Sequence, residues 1–106
     1  MDIYTYLLYT DTEDAVFEWD SRKDAENRIK HGVSFRFSQY AFCDAKRVIV
    51  EDLRHGGRET RFFCFGRIGE DVLTVRFTLR MNAIRIFGAG YWRKGKAIYE
   101  KENQIH

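Results

Sequence analysis

Residues 72–80 read Val-Leu-Thr-Val-Arg-Phe-Thr-Leu-Arg, an alternation that only a β-strand turns into two distinct surfaces. Leu73, Val75, Phe77 and Leu79 fall on one face, and Thr74, Arg76, Thr78 and Arg80 on the other. The neighbouring segments repeat the pattern: Arg61 alternates with Phe62, and Ile84 and Ile86 flank Arg85. Short polar breaks separate four such runs, Lys46 to Glu51, Thr60 to Arg67, Val72 to Arg80 and Ile84 to Ala89. Loops this short join consecutive strands as an antiparallel meander. One face of that sheet is expected to pack on helices while the other presents arginine and threonine. The alternative is a plain solvated outer face.

Helices are expected before and after the meander. Val16 to Trp19 reads as a short strand, Asp20 as an N-cap, Ser21 to His31 as a helix, and Gly32 as the residue that stops it. Its apolar stripe is thin, mainly Ala25 and Ile29. Ser34 can cap a second helix running to about Cys43, with Phe37 and Ala41 on one face. Lys94 to Asn103 reads as a last, short helix packed through Ala97 and Ile98. The expected class is therefore α+β: two N-terminal helices on a mainly antiparallel four- to five-stranded sheet, with a short C-terminal helix. A chain of 106 residues holds one such domain. Residues 1–15 are expected as an acidic extension or an extra strand, and residues 16–103 as the core.

Charge is unevenly distributed. The first 20 residues hold six acids and no Lys or Arg, so the rest carries all 18 basic residues against 10 acids, a net +8. A basic module of this size suits a polyanionic partner or a solvated charged surface. The two cysteines, Cys43 and Cys64, form no CxxC and read as small buried hydrophobes. No apolar run approaches the roughly 20 residues that cross a bilayer, and the N-terminus is acidic where a signal peptide is basic. A cytoplasmic location without membrane association is expected.

Few chemistries fit the side chains. His31, His55 and the cysteines lack zinc-site spacing, no P-loop or GxGxxG is present, and no Ser/His/Asp set stands out. No cofactor or metal is expected. RNA, by contrast, is cleaved when its own 2′-hydroxyl attacks phosphorus, which requires a proton acceptor, a proton donor and cations. Lys30 and His31 lie at a helix C-terminus, where the helix dipole stabilises cations. As ordinary stop signals they need no further role. Arg61, Arg76 and Arg85 suit phosphate, because guanidinium forks onto its oxygens; pairing with an acid such as Glu59 or Glu51 is the alternative. Tyr91 and Trp92 beside Arg93 and Lys94 combine stacking with charge. His55, in a Gly-rich loop, has no obvious partner.

Several motifs resemble the BrnT family, the toxin half of a bacterial toxin–antitoxin pair. They begin with Phe17-Glu18-Trp19-Asp20, Lys23 and Asn27. The run Lys30-His31-Gly32-Val33-Ser34-Phe35 follows, then Ala41, Phe42 and Asp44. Glu59, Arg61-Phe62 and Gly66 come next, with Leu73-Thr74-Val75, Phe77-Thr78 and Ile84-Arg85-Ile86 closing the set. The resemblance covers about residues 17–100. It implies a RelE-like fold, metal-independent endoribonuclease activity that halts translation, and a BrnA-type antitoxin resembling ribbon–helix–helix DNA-binding proteins. Operator DNA would be reached only through that antitoxin, and a homodimer or 2:2 complex is compatible with such a pair. Lys30, His31, Arg61 and Arg85 become the expected catalytic set, and Trp19, Arg76, Tyr91, Arg93 and Lys94 the substrate-binding set. One departure matters: Gly90 stands where the family commonly has an arginine. A toxin-like module that binds a partner without catalysis is the alternative reading.

Overall fold

A computed structural model describes residues 15–55 and 57–104. The expected extension over residues 1–15 lies almost wholly outside them.

The four alternating runs form the meander: β2 (Val48–Glu51), β3 (Arg61–Ile68), β4 (Asp71–Arg80) and β5 (Ala83–Gly90), each antiparallel to the next. Two-residue turns close two of the hairpins, Gly69-Glu70 between β3 and β4 and Met81-Asn82 between β4 and β5. Met81 (φ 48°) and Asn82 (φ 70°) both take the left-handed conformation that matches the twist of paired strands. The first strand, β1 (Val16–Trp19), lies parallel to β5, so the sheet order is β1-β5-β4-β3-β2. The sheet is thus mixed, and its parallel edge joins the first strand to the last.

The apolar side of the alternation packs as expected. Leu73, Val75, Phe77, Phe62, Cys64, Ile84 and Ile86 form a core with Val33, Phe35, Ala41 and Phe42 from the helical segment. Helix α1 (Ser21–His31) is capped as read: the Asp20 side chain accepts the amides of Arg22 (2.8 Å) and Lys23 (3.1 Å), and Gly32 (φ 68°) closes the other end. Its buried face differs from the expectation. Ile29 is 86% exposed, and the buried residue is Asn27. The second helix also differs: α2 (Phe35–Ser38) is one turn capped by Ser34, and a 3-10 segment (Gln39–Cys43) continues it. Ser38 donates back to the Ser34 carbonyl at 2.8 Å, and Phe37 is left exposed while Ala41 is buried.

The other face of the sheet is not simply solvated. Helix α3 (Arg93–Glu102) covers its β2–β4 part, where Tyr99 joins Phe65, Val72, Val48, Val50, Phe63 and Ile98. Ala97, expected to pack, is exposed, and Tyr99 takes that place. Thr74 is buried against this helix, and Thr78 is buried with its hydroxyl donating to the Thr60 carbonyl. The helices therefore flank the sheet on both sides rather than all preceding it. What remains open on this second face is the strip carrying Arg61, Arg76 and Arg85.

Candidate nucleic-acid site

The strip is organised by cross-strand pairing. Arg61 of β3 opposes Thr78 of β4, which opposes Arg85 of β5, which opposes Glu18 of β1. One row away, Phe63 opposes Arg76, which opposes Gly88. Between the rows the ladder slips: Arg76 pairs with Gly88 but Phe77 pairs with Ile86, so Phe87 is the extra residue of a β-bulge. The bulge brings the Phe87 ring under both guanidiniums, with Arg61 Cζ at 4.8 Å and Arg76 Cζ at 5.1 Å from its centroid. Such contacts favour a cation over an aromatic face. They leave one N–H of each unused: Nε of Arg61 and Nε of Arg76 are buried with no hydrogen-bond partner among the described residues. Neither arginine has an ion-pair partner among the described residues, whereas Arg85 lies 3.6 Å from Glu18 and Arg80 lies 3.3 Å from Glu59.

Helix α1 forms one wall of the strip, and Asn27 fixes it there. The Asn27 amide donates to the carbonyls of Val33 (2.8 Å) and Ala89 (2.9 Å), and its oxygen accepts the Ala89 amide (3.2 Å). A buried carboxamide satisfied by three backbone groups holds the helix to the end of β5. Lys30 and His31 then stand beside Arg76, Phe87, Gly88 and Trp92 around a cleft of about 280 Å3, with Lys23 and Glu26 on its rim. The His31 ring meets Trp92 edge to face at 5.2 Å. Trp92 in turn rests on Gly90: a Cβ at position 90 would lie 2.8 Å from the indole. The side chain missing at position 90 is thus replaced in space by the indole two residues later.

The residues singled out in the sequence are therefore only partly gathered. Lys30, His31 and Arg76 line one cleft, Arg61 joins them through Phe87, and Arg85 lies on the same face, drawn toward Glu18. Trp19 does not join them. It pairs with Ile86 in register and packs against the core on the helix-covered face. Tyr91 is half exposed, and burial and then the charge of Asp71 push its hydroxyl above the usual tyrosine range. Lys94 lines a more apolar groove with Phe63, Phe65 and Ile98 beneath α3. Arg93 and Lys94 occupy the first turn of that helix, which holds no acid, although its dipole disfavours cations there.

The sequence assigns no role to Phe87, names Asn27 only among the residues of the resemblance, and reads Trp92 as a stacking aromatic rather than as a wall. The tight Ile84–Ala89 alternation conceals the bulge, and the contact of Trp92 with Gly90 forms after β5 has ended at Gly90. Among the described residues no group of three or more His, Cys, Asp or Glu side chains is placed to hold a metal ion.

A bulged sheet with two guanidiniums that have no ion-pair partner among the described residues on its floor, and basic and imidazole side chains on its wall, suits a polyanion. Residues 19–95 match the family described as the ribonuclease toxin BrnT of type II toxin–antitoxin systems, and the chain belongs to that family. A toxin of this class has an antitoxin partner. No curated protein matches the chain.

Proposed function

We propose that this chain is a metal-independent endoribonuclease that acts in the cytoplasm, cuts RNA and so halts translation, and is neutralised by a BrnA-type ribbon–helix–helix antitoxin. The observation that carries the reading is the Arg61–Phe87–Arg76 stack beside Lys30 and His31. A buried donor left without an acceptor costs about 1–3 kcal/mol. The two guanidiniums that converge on one ring belong to partly exposed side chains without an ion-pair partner among the described residues, and a phosphodiester is an acceptor for both. The same guanidiniums offset the charge that accumulates on phosphorus as the 2′-hydroxyl attacks. Lys30 and His31 supply proton transfer at the wall, and Arg85 extends the cationic row. Family membership supports the same conclusion.

A non-catalytic module that only holds an antitoxin is the second reading. It is favoured by one observation: Trp92 fills the place of a cation common in the family. Both readings admit a homodimer or a 2:2 complex. Expression of the full chain, with and without a partner antitoxin, followed by RNA integrity in EDTA, separates them. Growth arrest with RNA cleavage in EDTA is expected, and Arg76→Ala is expected to slow cleavage about 10²-fold or more. Intact RNA alongside tight antitoxin binding would select the second reading.

A further inference from the structure

The connection between β2 and β3 folds back on itself. Asp52, only 6% exposed, accepts the amides of Arg54 (3.1 Å) and His55 (3.3 Å), and its own amide donates to the Arg61 carbonyl at 2.8 Å. Its Oδ2 lies 3.1 Å from His55 Nδ1. Burial pushes the Asp52 carboxyl up, but the hydrogen bond from His55 and the two amides outweigh it and hold the group below the usual carboxylate range. The loop histidine that had no obvious partner in the sequence is thus an oriented one. A carboxylate on Nδ1 selects the neutral tautomer that carries its proton there, which leaves the Nε2 lone pair for another group.

His55 lines a notch with Phe63, Arg76 and Trp92. Arg76 and Trp92 also line the cleft that contains Lys30 and His31. Sheet order places β4, which carries Arg76, between the two histidines: α1 packs on β5, and His55 follows β2. Two imidazoles therefore line, from opposite sides of β4, the two hollows that share Arg76.

We propose that His55, positioned by Asp52, is a catalytic residue: the general base on the RNA 2′-hydroxyl, with His31 as the general acid on the 5′ oxygen. This assignment rests on the ribonuclease reading. In the step, the 2′-hydroxyl proton passes to His55 Nε2 as the bond from the 2′ oxygen to phosphorus forms. The bond from phosphorus to the 5′ oxygen breaks, and that oxygen takes the proton carried by His31. The products are a 2′,3′-cyclic phosphate and a 5′-hydroxyl. His55 ends protonated and His31 neutral, and exchange with water restores both. Asp52 is a positioning residue that never meets the substrate.

The test uses the full chain, EDTA, and a short RNA whose cleavage site has been mapped with the wild type. A second substrate carries sulphur in place of the 5′ bridging oxygen at that site, because a thiolate leaves without needing a proton. His55→Ala is expected to slow both substrates about 10²-fold or more, while the defect of His31→Ala disappears on the sulphur substrate. Asp52→Asn is expected to lower kcat and leave KM unchanged, since an amide can donate to Nδ1 and select the wrong tautomer. Melting temperatures report the fold, and His55→Asn, which keeps a donor near Nδ1, takes over if His55→Ala melts early. Cleavage by either folded His55 variant within roughly threefold of wild type would overturn the proposal. So would rescue of the His55 variants by the sulphur leaving group. No cleavage by the wild type overturns the ribonuclease reading itself, and this proposal with it.

Discussion

Trp92 touches three parts of the site: the edge of His31, the floor beside Arg76, and Gly90 beneath it. The contact with Gly90 leaves no room for a methyl group, because a Cβ would meet Cη2 and Cζ2 of the indole at 2.8 Å. Gly90→Ala is therefore expected to displace the ring and destabilise the fold by about 1–3 kcal/mol, the range for overpacking. Thermal melting measures that loss. Fluorescence should report the displacement, since Trp92 shares the chain with only one other tryptophan, Trp19. Restoring the family arginine should follow the same rule: Gly90→Arg alone destabilises, and adding Trp92→Ala recovers part of the loss. Additive effects would show that the two positions do not compete for one space. The missing arginine was visible in the sequence. Its replacement was not, because the course of the chain between the end of β5 and α3 decides where the indole lies.

Beyond its apolar packing, helix α3 is tied to the rest of the molecule by the Asp44 carboxylate. Asp44 accepts the Tyr99 hydroxyl (2.7 Å), the Arg67 amide (2.8 Å) and the Lys46 amide (2.9 Å), and Asn103 donates to the Lys46 carbonyl at 3.0 Å. Burial raises the Asp44 carboxyl, and those three hydrogen bonds bring it below its ordinary value. A carboxyl lowered in the folded state stabilises it fully above pH 3.8, and the contribution fades as pH falls through the folded value. Burial, then the Asp44 hydrogen bond, pushes the Tyr99 hydroxyl from 10.0 up to about 12. A raised group acts in the other direction, so stability falls as pH rises from 10.0 to about 12. Tyr99→Phe is expected to lower stability by about 1–2 kcal/mol at neutral pH and to flatten both limbs. Melting curves across pH would contradict this if the limbs kept their slopes.

The elements themselves were legible where local chemistry decides them. Asp20 and Gly32 bound α1, and alternation gave the four strands of the meander. What escaped was the tertiary role of polar groups. Ile29 was the expected contact of α1, but the strand end offered unpaired backbone groups, and Asn27 rather than an aliphatic side chain satisfies them. His55 had no visible partner because its partner is made by a chain reversal. The spacing Asp52-Leu53-Arg54-His55 was the available signal. The parallel pairing of β1 escaped because a four-residue strand does not specify its neighbour.

At the scale of the whole molecule, residues 21–106 carry a net +8, and the sheet sets Arg61, Arg76 and Arg85 of that charge on one strip. Binding of single-stranded RNA through Lys30, Arg61 and Arg76 should weaken with salt at a slope of about −2 in log–log terms, and Arg61→Ala should reduce it by about 0.7. Fluorescence anisotropy on His31→Ala, over a sodium chloride series, measures this without cleavage. A slope unaffected by Arg61→Ala would remove that residue from the phosphate path.

The bond from Asn27 to Ala89 spans 62 positions, and β1 likewise waits for β5. At synthesis rates of about 5–20 residues per second, the wall bearing His31 emerges roughly 3–12 s before the strand that seats it. No nascent chain lacking β5 can assemble the cleft. The proposed ribonuclease site is therefore absent until all five strands have been made, and an antitoxin gains the same interval.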